Sequence, residues 1–142
     1  MSTKKALRYD NQWKREIEKE VSKFSQPFMS NSKWVKLIGK LVEHNDIILK
    51  ILFKKIQHEN MGELYLADGP DFGFEYWHSG FELNNSFNRP LAFNEIEYLV
   101  FPKIVDPVTH QDIKAIEAII QSIGAFCLES DENGLKLVCY RK

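Results

Sequence analysis

The sequence predicts a single α+β domain: a mainly antiparallel sheet covered by two N-terminal helices and one C-terminal helix, in the order α-α-β-β-β-β-α-β-β. Three observations predict it. Apolar stripes at helical spacing lie near both ends, and short strand-like runs separated by turn residues fill the middle. The length of 142 residues, with 44% hydrophobic and 27% charged residues, suits one full hydrophobic core. No repeat, low-complexity tract or long linker divides the chain, so residues 1–142 read as one domain. Residues 1–10, with Lys4, Lys5 and Arg8, read as a flexible solvated arm.

The first helix is expected over Asn11 to Ser25, where Trp13, Ile17, Val21 and Phe24 recur on one stripe amid Lys and Glu. Pro27 ends it, because proline disfavours helical geometry in the residue before it. A second helix starts at Ser30 to Ser32, residues able to cap free N–H groups. It carries Trp34, Leu37, Ile38, Leu41 and Val42 on one side and closes at His44-Asn45-Asp46. Residues 47–57 fit both periods, since Ile48, Ile51, Leu52 and Lys55 suit a helix while Leu49, Ile51 and Phe53 alternate. β-branched and aromatic residues favour a strand there.

Turn residues His58 to Gly62 lead into a partner strand at Glu63 to Ala67, and Asp68-Gly69-Pro70-Asp71 is a further turn. Two more strands are expected at Phe72 to Phe81 and Ile96 to Phe101. Thr109 with Asp112 three residues later resembles a capping box. Ile113, Ile116, Ile119, Ile120 and Ile123 then form a helical stripe that Gly124 stops. Ala125 to Glu129 and Leu135 to Arg141 flank Asn133-Gly134, a strong hairpin signal.

Composition excludes several classes. The formal charge of −1 argues against a strongly basic nucleic-acid-coating surface. Two cysteines, in no C-x-x-C pair, form no disulfide framework and fit a reducing compartment. No apolar run approaches the roughly 20 residues that span a bilayer. Met1-Ser2-Thr3-Lys4-Lys5 precedes no apolar stretch of the signal-peptide kind. A soluble cytoplasmic domain without membrane contact is therefore expected.

Charge is unevenly spread. Residues 1–58 hold 13 Lys and Arg against 6 Asp and Glu, a balance of +7; residues 59–98 hold 8 acids against Arg89 alone, a balance of −7. That second segment also carries 9 of the chain's 18 aromatics. The plain explanation is strands with rings inward and acids outward. Strict alternation fails at Tyr76 and Trp77, however, neighbours that point to opposite sides of a strand, so one large ring is expected beside acids on the outer face. Asp71, Glu75, Tyr76, Trp77 and Glu82 accordingly form the candidate partner-binding surface, since aromatics in a charged rim serve as interface anchors.

Catalytic patterns are sparse. His44, His58, His78 and His110 show no H-x-x-x-H spacing, so no metal site is expected. Glu75, His78 and Glu82, or His58 with Glu59, are the acid/base alternatives. Gly69 to Gly73 lacks the glycine count and strand-to-helix setting of a phosphate loop, its Asp71-Phe72-Gly73 stands without the rest of a kinase, and no cofactor is expected. Cys127 and Cys139 lie among strand apolars and read as buried, unreactive and unbonded to each other. Lys33, Lys36, Lys40, Lys50, Lys54 and Lys55 offer a minority nucleic-acid surface. Glu16 with Lys19 and Glu20 with Lys23 are spaced as pairs on a solvated helix face.

The run Phe28-Met29-Ser30-Asn31-Ser32-Lys33-Trp34, followed some sixty residues later by Ile96-Glu97-Tyr98-Leu99, resembles a family of small uncharacterised bacterial domains opening with Asn-Thr/Ser-Lys-Trp. That resemblance implies a bacterial cytosolic setting and carries no catalytic residue. In size, α+β make-up and acidic aromatic character the chain also resembles bacterial toxin-immunity proteins. Three functions follow from different classes. They are a binding protein, most concretely an immunity protein that neutralises a basic toxin; a small enzyme using Glu75, His78 and Glu82; and a nucleic-acid-binding regulator using the basic helices.

Overall fold

The computed structural model describes residues 12, 15–24, 26–65, 86 and 93–141. These residues bear out an α+β fold with a mainly antiparallel sheet. In chain order they form α1 (15–21), β1 (Gln26–Pro27), α2 (Asn31–Glu43), β2 (Ile51–Lys55), β3 (Met61–Leu64), a 3-10 turn (Phe93–Glu95), β4 (Ile96–Pro102), β5 (Ile104–Asp106), β6 (Thr109–His110), α3 (Ile113–Gln121), β7 (Cys127–Asp131), β8 (Gly134–Val138) and β9 (Tyr140–Arg141). Five strands make one sheet in the order β3-β2-β4-β8-β7, with antiparallel neighbours throughout. The strand expected at Phe72 to Phe81 and the arm at residues 1–10 lie outside the described residues.

Strand alternation builds the core face. Ile51 and Phe53 of β2, Leu64 of β3, Leu99 and Phe101 of β4, and Leu135 and Leu137 of β8 are all buried on it. Helix α2 lays Trp34, Leu37, Ile38 and Leu41 against that face, and α3 adds Ile116 and Ile120. The Trp34 ring stacks on Phe93 with centroids 4.9 Å apart and planes 9° from parallel. Helix α2 starts where the serines predict, with Ser30 Oγ accepting the Lys33 N–H at 3.3 Å. The ambiguous stretch 47–57 resolves as strand over Ile51–Lys55 only, leaving Leu49 outside it and exposed.

In its described residues, the N-terminal helix packs outside the main core. Its Ile17 packs with Ile56, Val21, Phe24 and Tyr140 in a second, smaller cluster. Tyr140 touches both clusters, and its ring lies 5.3 Å from that of Phe24.

Two expectations need correction. Thr109 is not the cap of α3: it belongs to β6, and Asp112 caps the helix, its Oδ1 accepting the Ala115 N–H at 3.1 Å. The chain before the helix is instead a small β5–β6 hairpin, turned at Asp106-Pro107-Val108, where Asp106 Oδ1 accepts the Val108 N–H at 2.9 Å. The partner of β2 also pairs earlier than expected, at Met61–Leu64, because the pairing of Lys54 with Met61 sets the register.

The β7–β8 hairpin turns within Asp131-Glu132-Asn133-Gly134 as expected, but its loop is Glu132-Asn133: Gly134 already pairs with Asp131 as the first residue of β8, so the loop lies one residue earlier than Asn133-Gly134. Asp131 Oδ1 accepts the N–H groups of Asn133 (2.7 Å) and Gly134 (3.1 Å). Gly134 has φ +154°, and a Cβ there would collide with the Phe101 carbonyl oxygen, so only glycine fits beside β4. Leu128 pairs with Leu137, which sets Cys127 opposite Val138 while Cys139 enters the core beyond the strand end. Both cysteines are free thiols, as expected, but only Cys139 is buried. Among the described residues no helix is long and apolar enough to cross a membrane.

Two measurements test this packing. Trp34→Ala removes a buried ring and its stacking partner's contact, and should cost about 3–5 kcal/mol in denaturant unfolding, as large core truncations do; unchanged stability would show that Trp34 is not in the core. Burial also pushes the Cys139 thiol far above the usual thiol range. A thiol reagent at pH 8 should therefore titrate one cysteine in the native protein, Cys127, and two after unfolding.

Candidate functional site

The acidic aromatic segment, residues 59–98, contributes to the structure at both ends. At its start, Met61–Leu64 pairs with β2. Ser86 is bonded to the same edge strand, with Glu63 N–H donating to Ser86 Oγ and Ser86 N–H donating to Glu63 O, both at 2.8 Å. At its end Phe93 is buried on Trp34 and Glu95 is wholly buried. The sequence-predicted site residues Asp71, Glu75, Tyr76, Trp77 and Glu82, and the alternative His78, lie outside the described residues.

Two acids of the segment meet lysines of the basic N-terminal half. Alternation in β2 carries Lys55 to the same side as Ile51 and Phe53, and its ammonium reaches Glu95 Oε1 at 3.1 Å. The same carboxylate oxygen accepts a 2.7 Å hydrogen bond from Gln57 Nε2. Lys55 is 8% exposed and Glu95 0%, so each charge depends on the other in a site that water scarcely reaches. On the opposite side of the strand Lys54 pairs with Glu97 at 2.8 Å. The opposed balances of +7 and −7 are thus partly an internal match. Of the rings in the segment, Phe93 is core and Tyr98 lies beneath the Lys136 ammonium, 4.1 Å from its centroid, while Tyr65 is left in solvent.

That solvent-exposed ring marks one end of the sheet. Leu49 and Tyr65, each 46% exposed, line an open concavity of about 240 Å³ whose walls mix Ile48, Ile51 and Leu64 with the polar Asn45, Lys50 and Glu63. The β5–β6 hairpin beside it leaves Ile104 60% and Val108 89% exposed. Buried Gln111 ties these pieces together. Its Oε1 accepts the N–H groups of Leu49 (2.9 Å) and Lys50 (3.2 Å), and its Nε2 donates to Lys50 O (2.9 Å) and Pro102 O (2.6 Å). Its own N–H donates to Lys103 O at 2.9 Å. One amide thereby satisfies four groups on two chain segments, the one that carries Leu49 and the one that precedes Ile104. Nearby, backbone and Thr109 hydrogen bonds hold the Asp106 carboxyl below the usual carboxylate range.

The remaining candidates are distributed differently. Lys33, offered for nucleic acid, donates to Phe28 O (3.2 Å) and Ala125 O (2.9 Å), joining the start of α2 to the chain before β7. With Lys54 and Lys55 in internal ion pairs, three of the six lysines of that alternative serve the fold. Glu20 and Lys23 pair at 2.8 Å as their spacing predicts. His44 caps the end of α2, and His58 and His110 are exposed. No group of three or more His, Cys, Asp or Glu among the described residues is placed to hold a metal ion. Cys127 was expected to be buried; instead it is partly exposed, and Arg141 Nη2 donates to its Sγ at 3.4 Å and to Glu129 Oε2 at 2.7 Å. Sequence reasoning missed the exposed apolar end and Gln111. A polar residue just before a helix reads locally as surface, and only the approach of β2 and β4 makes it interior.

Compared with protein-family models, with curated proteins and with solved structures, the chain finds no match.

The buried ion pair yields a stability prediction. Lys55→Ala leaves Glu95 without its cation and should cost about 3–5 kcal/mol, whereas Lys55→Met combined with Glu95→Leu should recover most of that loss. Equal destabilisation by the single and double variants would show that the pair is not what matters there. A second prediction concerns alkaline pH. Burial, with the Cys139 thiol beside it, pushes the Tyr140 hydroxyl from 10.0 up to about 12. A raised folded-state value means that the unfolded chain loses this proton first, so Tyr140's contribution is intact below about pH 10 and is lost as pH rises toward 12. Tyr140→Phe should therefore flatten the fall in urea stability between pH 10 and 11.5 relative to the parent chain.

Proposed function

We propose that this chain acts by binding another protein, with a contact surface at the end of the sheet that carries Tyr65 of the acidic aromatic segment. The observation that carries this reading is the set of exposed apolar side chains Leu49, Tyr65, Ile104 and Val108, of which Leu49 stands on backbone that Gln111 hydrogen-bonds. Large apolar groups kept in water on rigid elements lower the ordering cost of an interface and mark contact sites. The partner's chemistry is read from the charge of the same segment. Glu95 and Glu97 are neutralised internally, so this reading assigns the attraction of a basic partner to the sequence-predicted Asp71, Glu75 and Glu82, with Tyr76 and Trp77 as anchors. The most concrete form of this reading is a bacterial cytoplasmic immunity protein that occludes a basic toxin.

Affinity capture from the source cell, followed by binding kinetics with the recovered partner, tests it. Leu49→Ala with Tyr65→Ala, and separately Tyr76→Ala or Trp77→Ala, should leave the fold intact and weaken binding by roughly 2 kcal/mol or more, chiefly through faster dissociation. Neutralising Asp71, Glu75 and Glu82 together should instead slow association and flatten its salt dependence, because attraction over long range is screened beyond about 10 Å at 0.1 M salt. A partner that is acidic, or one indifferent to all of these substitutions, would overturn the proposal.

A further inference from the structure

We draw no further inference here: the strongest candidate, the pocket lined by Glu16, Lys19, Glu20 and Gln57 beside the buried Lys55–Glu95 pair, holds one amide oxygen without a hydrogen-bond partner, Gln57 Oε1, but that side chain is only partly buried and nothing else in the structure points to a ligand there.

Discussion

Strand β2 alternates its side chains strictly, and that alternation drives Lys55 to the interior side together with Ile51 and Phe53. A lysine ammonium in such a place is tolerable only with a carboxylate against it, since an unpaired buried charge costs several kcal/mol. Glu95 supplies the carboxylate, and much of the surrounding geometry follows. Holding Glu95 beneath β2 places the start of β4 next to Lys55, where the Ile56 N–H donates to Glu95 O at 2.7 Å. The sheet accommodates the junction by shifting register between Lys54 and Lys55. Two residues earlier, Phe93 is thereby delivered to the face of Trp34, the ring in the first turn of α2. The ion pair and the aromatic stack thus fix the same short stretch of chain from two sides, one by charge and one by apolar contact.

The other end of β2 is secured by a neutral device. Gln111 has no net charge to desolvate, and its amide offers donors and an acceptor that match the backbone groups left over where β2 begins and β4 ends. Those groups are thus satisfied by a side chain and not by a strand partner. Leu49, Ile104 and Val108, close by in the chain, stay in solvent. Lys33, Lys54 and Lys55, three of the lysines of the basic N-terminal segment, are meanwhile taken up by bonds within the fold.

Much of the scaffold was legible from local pattern. The stripe Trp34, Leu37, Ile38 and Leu41, the serine cap before it, the isoleucines of α3 and the turn within residues 131–134 each depend on residues within one or two turns of chain, and each forms where the sequence indicates, although the loop itself is Glu132-Asn133 and not Asn133-Gly134. The opposed charge of the two halves was equally plain. Its meaning was not, because counting cannot distinguish acids that await a partner from acids already matched within the fold, as Glu95 and Glu97 are.

By itself, then, the sequence determined α2, α3, the strand at Ile96 to Phe101, the β7–β8 hairpin and the free state of both cysteines, through short-range periodicity, turn chemistry and strand register. Tertiary structure alone decided that Asp112 rather than Thr109 caps α3, that α1 serves a separate cluster, that Lys55 lies inside, and that Gln111 is an interior hub. In each of these the deciding partner is distant in sequence or the choice lies between two locally acceptable residues. Thr109 and Asp112 both satisfy a cap's chemistry, and only the folding of residues 104–110 into a hairpin assigns one to a strand and the other to the helix.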